Sequence, residues 1–406
     1  MESGSAPGVA TELLNGLANL GHRIDCYFPG SGVELPARVA EQEGITVTWG
    51  NSTWRWNRWY SRTPMMSFAS GLWARGYASV RLRREVLRRH RQEPYDVLFQ
   101  LSSIESLSAP RSLRGAVPLV IRPDSHQAGE LRCLLAERRI SLRCQPARVF
   151  VFSAAVMTVR SLVQLIRIRH ASLLICLSSV FRDHIVHDYR FPIENTVVVT
   201  NPVRLEQFAG ADLERGLAQP PMILVPGRVS VRKGIEDVVE LARVLGDRHP
   251  ELRLRVVGGP SLWSDYRKLL EDLPENSEYV EQVPAAEMPA EFARSDVVLQ
   301  PSKYDPCPMT VIEALAGGVP VVATSEVGSI EGVDRSVVSE VRPGDVEGMA
   351  SAIAAMLEQL RHDPAKTRAT ASAEAHRRFA PEVVCEQISA ALEAVADRSC
   401  ANGASG

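Results

Sequence analysis

The stretch DVVLQPSKYDPCPMTVIEALAGGVPVVAT, Asp296 to Thr324, reads as strand, loop, helix and strand in one short run. DVVLQP (296–301) and PVVAT (320–324) are short apolar runs rich in β-branched residues. Between them the sequence predicts a helix from Met309 to Ala316. Pro308 suits its first turn, where the missing N–H is an orphan in any case. Two carboxylates, Asp305 and Glu313, lie eight residues apart, one before the helix and one on its otherwise apolar body.

The same rhythm extends on both sides. MILV (222–225), LRVVGG (254–259) and EYVEQV (278–283) are further strands, with helices from Gly234 to Leu245, Leu262 to Leu273 and Glu287 to Arg294. Apolar runs alternating with helices indicate a parallel sheet covered on both faces. The first half repeats the plan more loosely, with strands at 23–28, 96–101, 118–124, 172–178 and 196–201. The expected class is α/β, two doubly wound Rossmann-like domains. Residues 1–201 form the first, 202–380 the second, the helix 381–397 follows the second, and 398–406 are a disordered tail. The first helix, Val9 to Leu20, follows only a loop-like GSAPG, where a doubly wound domain would place its central strand. The expectation is a first sheet with a gap, an exposed unpaired edge or an altered order, and a chain less stable and less active than one extended by about 15–20 residues to supply that strand.

A net charge of −2 over 406 residues implies no bulk attraction to nucleic acid or anionic membrane. The start, MESGSAPGVA, has neither the basic residues nor the apolar core of a signal peptide. The longest apolar run, Val149 to Val159, is broken by Arg160, so no membrane-spanning segment is expected. Seven scattered cysteines without a CxxC pair fit a reducing cytoplasm better than disulfides or zinc. Only four of the 46 basic residues are lysines: Lys233, Lys268, Lys303 and Lys366.

The site follows from the helix start. The free N–H groups of Met309 and Thr310, with the positive end of the helix dipole, make a place for phosphate. GRVSVRKG (227–234) leaves a neighbouring strand and brings Arg228 and Lys233; Lys303 precedes the acidic loop. Arginine forks onto phosphate oxygens and lysine adds a point charge. Glu313, roughly 7 Å along the helix at about 1.5 Å per residue, is costly there unless it accepts hydrogen bonds. A vicinal diol supplies two donors to such a carboxylate, and Asp305 would hold a second diol. Diol, diphosphate, diol describes a nucleotide-diphosphate sugar.

GRVSVRKG, VVGGP (256–260), LQPS (299–302) and DPCPMTVIEALAGGVPVV occur in this order over about 110 residues. In them the chain resembles glycosyltransferase family 4, which has the GT-B fold. The resemblance implies retaining transfer from a sugar nucleotide, with no metal bound through a DxD motif and no cofactor. It implies that Gly227, Arg228, Lys233, Met309 and Thr310 surround the diphosphate, that Glu313 holds the ribose and Asp305 the donor sugar, and that Glu331 matches a family GG-x-x-E position. The chain departs from the pattern in three places: Asp305 is one carbon shorter than the usual Glu, Pro308 replaces a glycine, and EQV (281–283) replaces a G-x-V.

In the first half, GSAPGVATELLNGLANLGHRI resembles the family's glycine loop and first helix, which marks Gly8. VPLVIRPDSH resembles the strand ending near the active-site histidine, which marks His126 as a residue touching the reacting sugar. The catalytic set is then His126, Asp305, Arg228 and Lys233. Trp54, Trp56 and Trp59, interleaved with arginines, either stack an acceptor or pin a long loop. Nucleic acid is excluded as a partner by the net acidity. Arg81, Arg84, Arg88 and Arg91 share one helical stripe, and a second basic-apolar stretch spans Arg148 to His170. A solvated face is the commoner explanation, peripheral docking at the inner membrane face the alternative. The acceptor is a small molecule, a glycan or a lipid-linked compound. The rival readings are a sugar-nucleotide-binding protein without catalysis and a GT-B enzyme of other chemistry such as an epimerase.

Overall fold

The protein, a computed structural model, is described over residues 5–28, 37–50, 64–102, 111–113, 116–260 and 265–403. Its strands form three parallel sheets. β1 (Ile24–Phe28) pairs only with β2 (Ile45–Trp49). β3 (Leu98–Leu101), β4 (Leu119–Arg122), β5 (Leu173–Cys176) and β6 (Thr196–Val198) form a four-stranded sheet in chain order. β7 (Met222–Pro226), β8 (Arg253–Val257), β9 (Ser277–Val280), β10 (Val297–Gln300), β11 (Val321–Thr324) and β12 (Val338–Val341) form a six-stranded sheet in the order β12-β11-β10-β7-β8-β9. The last order is that of a doubly wound domain, and β10 and β11 are buried along their whole length, as strands covered on both faces must be.

The expected gap is present. Among the described residues no strand joins β1 to β3, so the first sheet is split into a pair and a quartet. The first helix, Ser5–Asn19, instead covers the quartet. Val9, Leu13 and Leu17 pack with Val120, Leu173 and Ile175, and with Val384, Cys385 and Ile388 of the last helix, Pro381–Gly403. That helix reaches Gly403, so the expected tail is ordered for several residues beyond 398. Ser5 to Gly8 is helical, so the expected glycine loop is a first helical turn. The chain crosses between the two Rossmann-like domains twice, and the crossings touch: Val203 N donates to Phe379 O at 2.9 Å.

Three other expectations change. The helix expected at 262–273 is a short 3-10 turn, Arg267–Leu270, among the residues described there. β2 and β12 were not expected; ITVTW is only partly buried and sits in a pair without a covering third strand. The apolar run broken at Arg160 continues as one helix, Ala147–Ile168, whose mean hydropathy reaches 1.9. It is long and apolar enough to cross a membrane, because a single arginine does not offset the apolar residues on both sides of it. The helix Pro64–Gln92 carries Arg81, Arg84, Arg88 and Arg91 exposed while Leu82 and Val86 are buried, as their spacing predicts.

The contact between first and last helices depends on Gly16, where an added Cβ would overlap Cys385 Sγ and lie 2.9 Å from its Cβ. Gly16→Ala should therefore destabilise the protein by roughly 1–3 kcal/mol through overpacking. Urea unfolding should show this, and Cys385→Ala in the same chain should recover part of it. An unchanged midpoint in Gly16→Ala would mean the helices lie further apart.

Candidate active site

Strand order reverses between β10 and β7, and ligands of doubly wound sheets bind where the carboxyl ends of such strands part. The loops leaving these two strands lie in contact. Gly234 adopts φ +69°, and a Cβ there would overlap Pro301 O, so only glycine lets the loop after β7 approach the loop after β10 this closely. Gly258, at φ +153°, allows the same approach to Gly227 O. Lys303 N donates to Arg232 O at 2.9 Å and stitches the two loops together.

Lys233 and Asp305 meet directly as an ion pair. Arg232 donates to Tyr304 O at 3.1 Å and lies 3.7 Å from Asp305 Oδ1. Arg232 was missed by the sequence reading although it is in the quoted GRVSVRKG run. Burial pulls the Lys233 ammonium below its ordinary range, against the pull of Asp305. Arg228 is exposed, and no carboxylate pairs with it among the described residues. Lys303, expected beside the phosphate site, is turned away from it. It pairs with Glu137 of the first domain at 2.7 Å and with Glu236, so its rarity marked a domain contact rather than an anion site.

The helix Met309–Ala316 begins as expected, with Pro308 in extended conformation at its N-cap and no side chain capping it. The N–H groups of Met309 and Thr310 have no acceptor within the helix, while Val311 N donates to Pro308 O at 3.3 Å. Thr310 Oγ1 donates to Gln300 Oε1 at 3.1 Å, which fixes the helix start to the end of β10. Met309 packs against both the first-domain core and the core shared by the two domains. Glu313 is half-buried among Val311, Ile312, Ala314 and Leu315, and no side-chain hydrogen bond or ion pair holds its carboxylate among the described residues. Burial pushes that carboxyl up from 4.5 to about 7.

The first-domain candidates fare differently. His126 is fully buried. Its Nδ1 is 3.0 Å from Tyr304 OH and its Nε2 is 3.0 Å from Asp188 Oδ2, within a cage that includes Phe181, His184 and Tyr189. Burial pushes it down to about 4 despite Asp188, leaving a neutral imidazole. It has no surface to offer a sugar, so its expected catalytic contact is corrected to a domain-packing role. Both oxygens of Glu331 accept from Ser179 N (2.7 Å) and Val180 N (2.8 Å) at the start of the helix Ser179–Tyr189. Glu331 therefore caps a first-domain helix and does not join the cluster at Met309. Gly8 is exposed, with open space around it. Trp54, Trp56 and Trp59 lie outside the described residues. A residue not foreseen is Arg122, at the end of β4. It is buried and bonded to Thr200 O (3.0 Å) and Asn201 Oδ1 (2.8 Å), and Asn201 in turn donates to Cys307 O. Among the described residues no three His, Cys, Asp or Glu side chains gather as a metal site.

Residues 8–207 match glycosyltransferase family 4, and residues 214–377 match the glycosyl transferases of group 1. Together the two matches account for both domains in order, and the chain is a family 4-type glycosyltransferase with the GT-B fold. It is similar to the glycogen synthase of Mycobacterium tuberculosis, 26% identical over 52% of this chain and 50% of that enzyme. It is also 30% identical, over 36% of this chain and 41% of the other, to a GDP-mannose-dependent alpha-(1-6)-phosphatidylinositol monomannoside mannosyltransferase of Mycolicibacterium smegmatis. The matched stretches thus span half or less of these relatives' lengths. The solved structure of Anabaena HepE in complex with UDP and glucose has the same fold, with a TM-score of 0.62 at 18% identity and 96% of each chain covered.

The raised carboxyl of Glu313 gives a signed test. An acid whose pKa is raised by folding contributes stability that is present below its unfolded value, 4.5, and lost as pH rises through about 7. Glu313→Gln removes that loss. By urea unfolding the variant should match the parent below about pH 4 and exceed it near about pH 8, by on the order of 1–3 kcal/mol. A variant less stable than the parent at the higher pH would show that the carboxylate has a partner in solution.

Proposed function

We propose that the enzyme transfers a sugar from a nucleotide-diphosphate donor to an acceptor hydroxyl with retention of configuration. The observation that carries this reading is the Glu313 carboxylate, half-buried one turn inside a helix with an uncapped start, and without a side-chain partner among the described residues. Two ribose hydroxyls satisfy that carboxylate in its ionised form. The diphosphate then falls at the helix start, with Gly227, Met309 and Thr310 as its backbone surroundings. Relatives with a GDP-mannose-dependent activity and a neighbour solved with UDP support the donor class.

In the reaction the bond from the sugar C1 to the diphosphate oxygen breaks and a bond from C1 to the acceptor oxygen forms on the same face. The acceptor's proton passes to the departing diphosphate, so no protein nucleophile is required. Lys233, Arg228 and the helix start stabilise the negative charge that develops on the leaving group. A diphosphate at the helix start competes with Asp305 for Lys233, and releases the Asp305 carboxylate toward the hydroxyls of the transferred sugar. The acceptor hydroxyl belongs to a small molecule, a glycan or a lipid-linked compound.

Thermal shift against a panel of nucleotide sugars tests the donor, since a ligand of the folded state raises the melting temperature. Nuclear magnetic resonance of the product's anomeric centre tests retention. Lys233→Ala should lower kcat/KM by about 10²–10³, and Lys233→Arg should recover only part of that. Asp305→Asn should leave nucleoside diphosphate binding unchanged or tighter, because it frees Lys233, while transfer falls. Equal weakening of nucleoside diphosphate by Asp305→Asn and Glu313→Gln would overturn the assignment of sugar and ribose.

A second reading, sugar-nucleotide binding without transfer, is favoured by the Lys233–Asp305 pair, which neutralises the principal cation of the clamp. Slow release of free sugar from the donor without acceptor would decide for the enzyme.

A further inference from the structure

The helix Ala147–Ile168 presents to solvent a stripe that glycosyl transfer does not use. Val151, Val159, Leu162 and Ile166 are 62%, 53%, 56% and 60% exposed. Their spacings place them on one side of the helix. Arg148 precedes this stripe and Arg169 follows it, both exposed on the same side, so a guanidinium stands at each end. From Arg138 to His170 the sequence has seven arginines and no Asp or Glu, in a chain of net charge −2. The overall acidity therefore conceals a local cationic region built around an apolar strip.

The opposite side of the helix is fixed to protein. Gln164 is fully buried; its Oε1 accepts from Gln127 N at 2.9 Å and from Tyr189 OH at 2.6 Å, and its Nε2 donates to Ser125 O at 2.6 Å. Arg160 Nε donates to Gln127 Oε1 at 3.0 Å. Crossing a bilayer would strip these groups of their partners inside hydrocarbon. The helix has the length to span, and its attachments keep it lying along the domain.

We infer that this helix is an interfacial anchor that docks the enzyme onto an anionic phospholipid bilayer. The apolar stripe enters the boundary of the acyl chains, and the arginines reach the headgroup phosphates. Charge complementarity selects this occupant: exposed Arg148 and Arg169 at the two ends of the stripe, in a stretch that has no carboxylate of its own, fit a surface of phosphates, and the strip between them fits hydrocarbon. The inference stands apart from the donor chemistry, because it uses none of the residues at the switch point.

Flotation of the full chain with phosphatidylcholine vesicles, with and without about a third of phosphatidylglycerol, tests it. Recovery with the anionic vesicles should be about tenfold higher than with the neutral ones. It should fall at about 1 M salt, where the screening length is about 3 Å. Alkaline carbonate should release the protein. Leu162→Glu with Ile166→Glu places charges where side chains already meet solvent, so the melting temperature should hold while recovery drops about tenfold. The milder Leu162→Ser with Ile166→Ser serves should the first pair fail to fold. Absence of vesicle binding, equal recovery with neutral and anionic vesicles, or full recovery of the folded variants would overturn the inference. So would resistance to carbonate, which means a spanning helix, or a dimer that the same variants split, which means a second copy of the chain covers the stripe.

Discussion

The loop from Lys303 to Pro308 is held from three sides, and the geometry of the candidate site depends on it. From the β7 side, Arg232 takes its backbone and Lys233 its carboxylate. From the β11 side, Asp305 N donates to Glu326 O and Asp305 O accepts from Gly328 N, each at 3.0 Å. From the first domain, His126 meets the Tyr304 hydroxyl and Asn201 reaches Cys307 O. These attachments hold the loop that leads through Pro308 into the helix Met309–Ala316, and with it the helix start. Loops carry function when a rigid scaffold places them, and here both domains form that scaffold.

That rigidity surrounds a group that folding alone would not choose. A carboxyl raised to about 7 by burial destabilises the fold whenever it is ionised. A leucine or glutamine at position 313 would remove the penalty. Glutamate makes sense as a group whose partners arrive with the substrate, so that the desolvation cost is met before binding and the hydroxyls find a pre-aimed acceptor. Lys233 has been treated the other way. Its burial is offset within the protein by Asp305, and in the proposed reaction an incoming diphosphate would compete with that carboxylate.

The second domain was legible because its strands are buried on both faces, which writes them as unbroken apolar runs. The acidic spacing across Pro308 also marked the candidate site. What escaped had weaker local signals. Ile45–Trp49 alternates with threonine and belongs to a pair, so neither run length nor alternation singled it out. Lys303 and His126 occupy strand ends that look functional, yet a position at a strand end does not tell which way a side chain turns. Lys303 turned to Glu137 and Glu236, His126 into an aromatic cage. Arg160 seemed to interrupt an apolar run, but on a helix its guanidinium reaches Gln127 on the protein side and leaves the outer stripe apolar.

The two domains are held together in two different ways. Residues near Val203 and Phe379 bond to each other at the one edge where the backbone itself passes between domains. Elsewhere the domains are joined by side chains: Lys303 with Glu137, Glu331 on the helix start at Ser179, and His126 with Tyr304. Backbone continuity cannot be broken, whereas side-chain contacts between packed surfaces exchange with water at modest cost, least where they are ionic and part-exposed. Any separation of the domains would therefore cost least at the part-exposed ionic contacts and most at the apolar core that the two domains share. The His126–Tyr304 contact is the costly one, because it is fully buried and separating it wets an aromatic cage. Tyr304 adjoins Asp305 in the chain, so this buried contact between domains also helps to fix the carboxylate that pairs with Lys233.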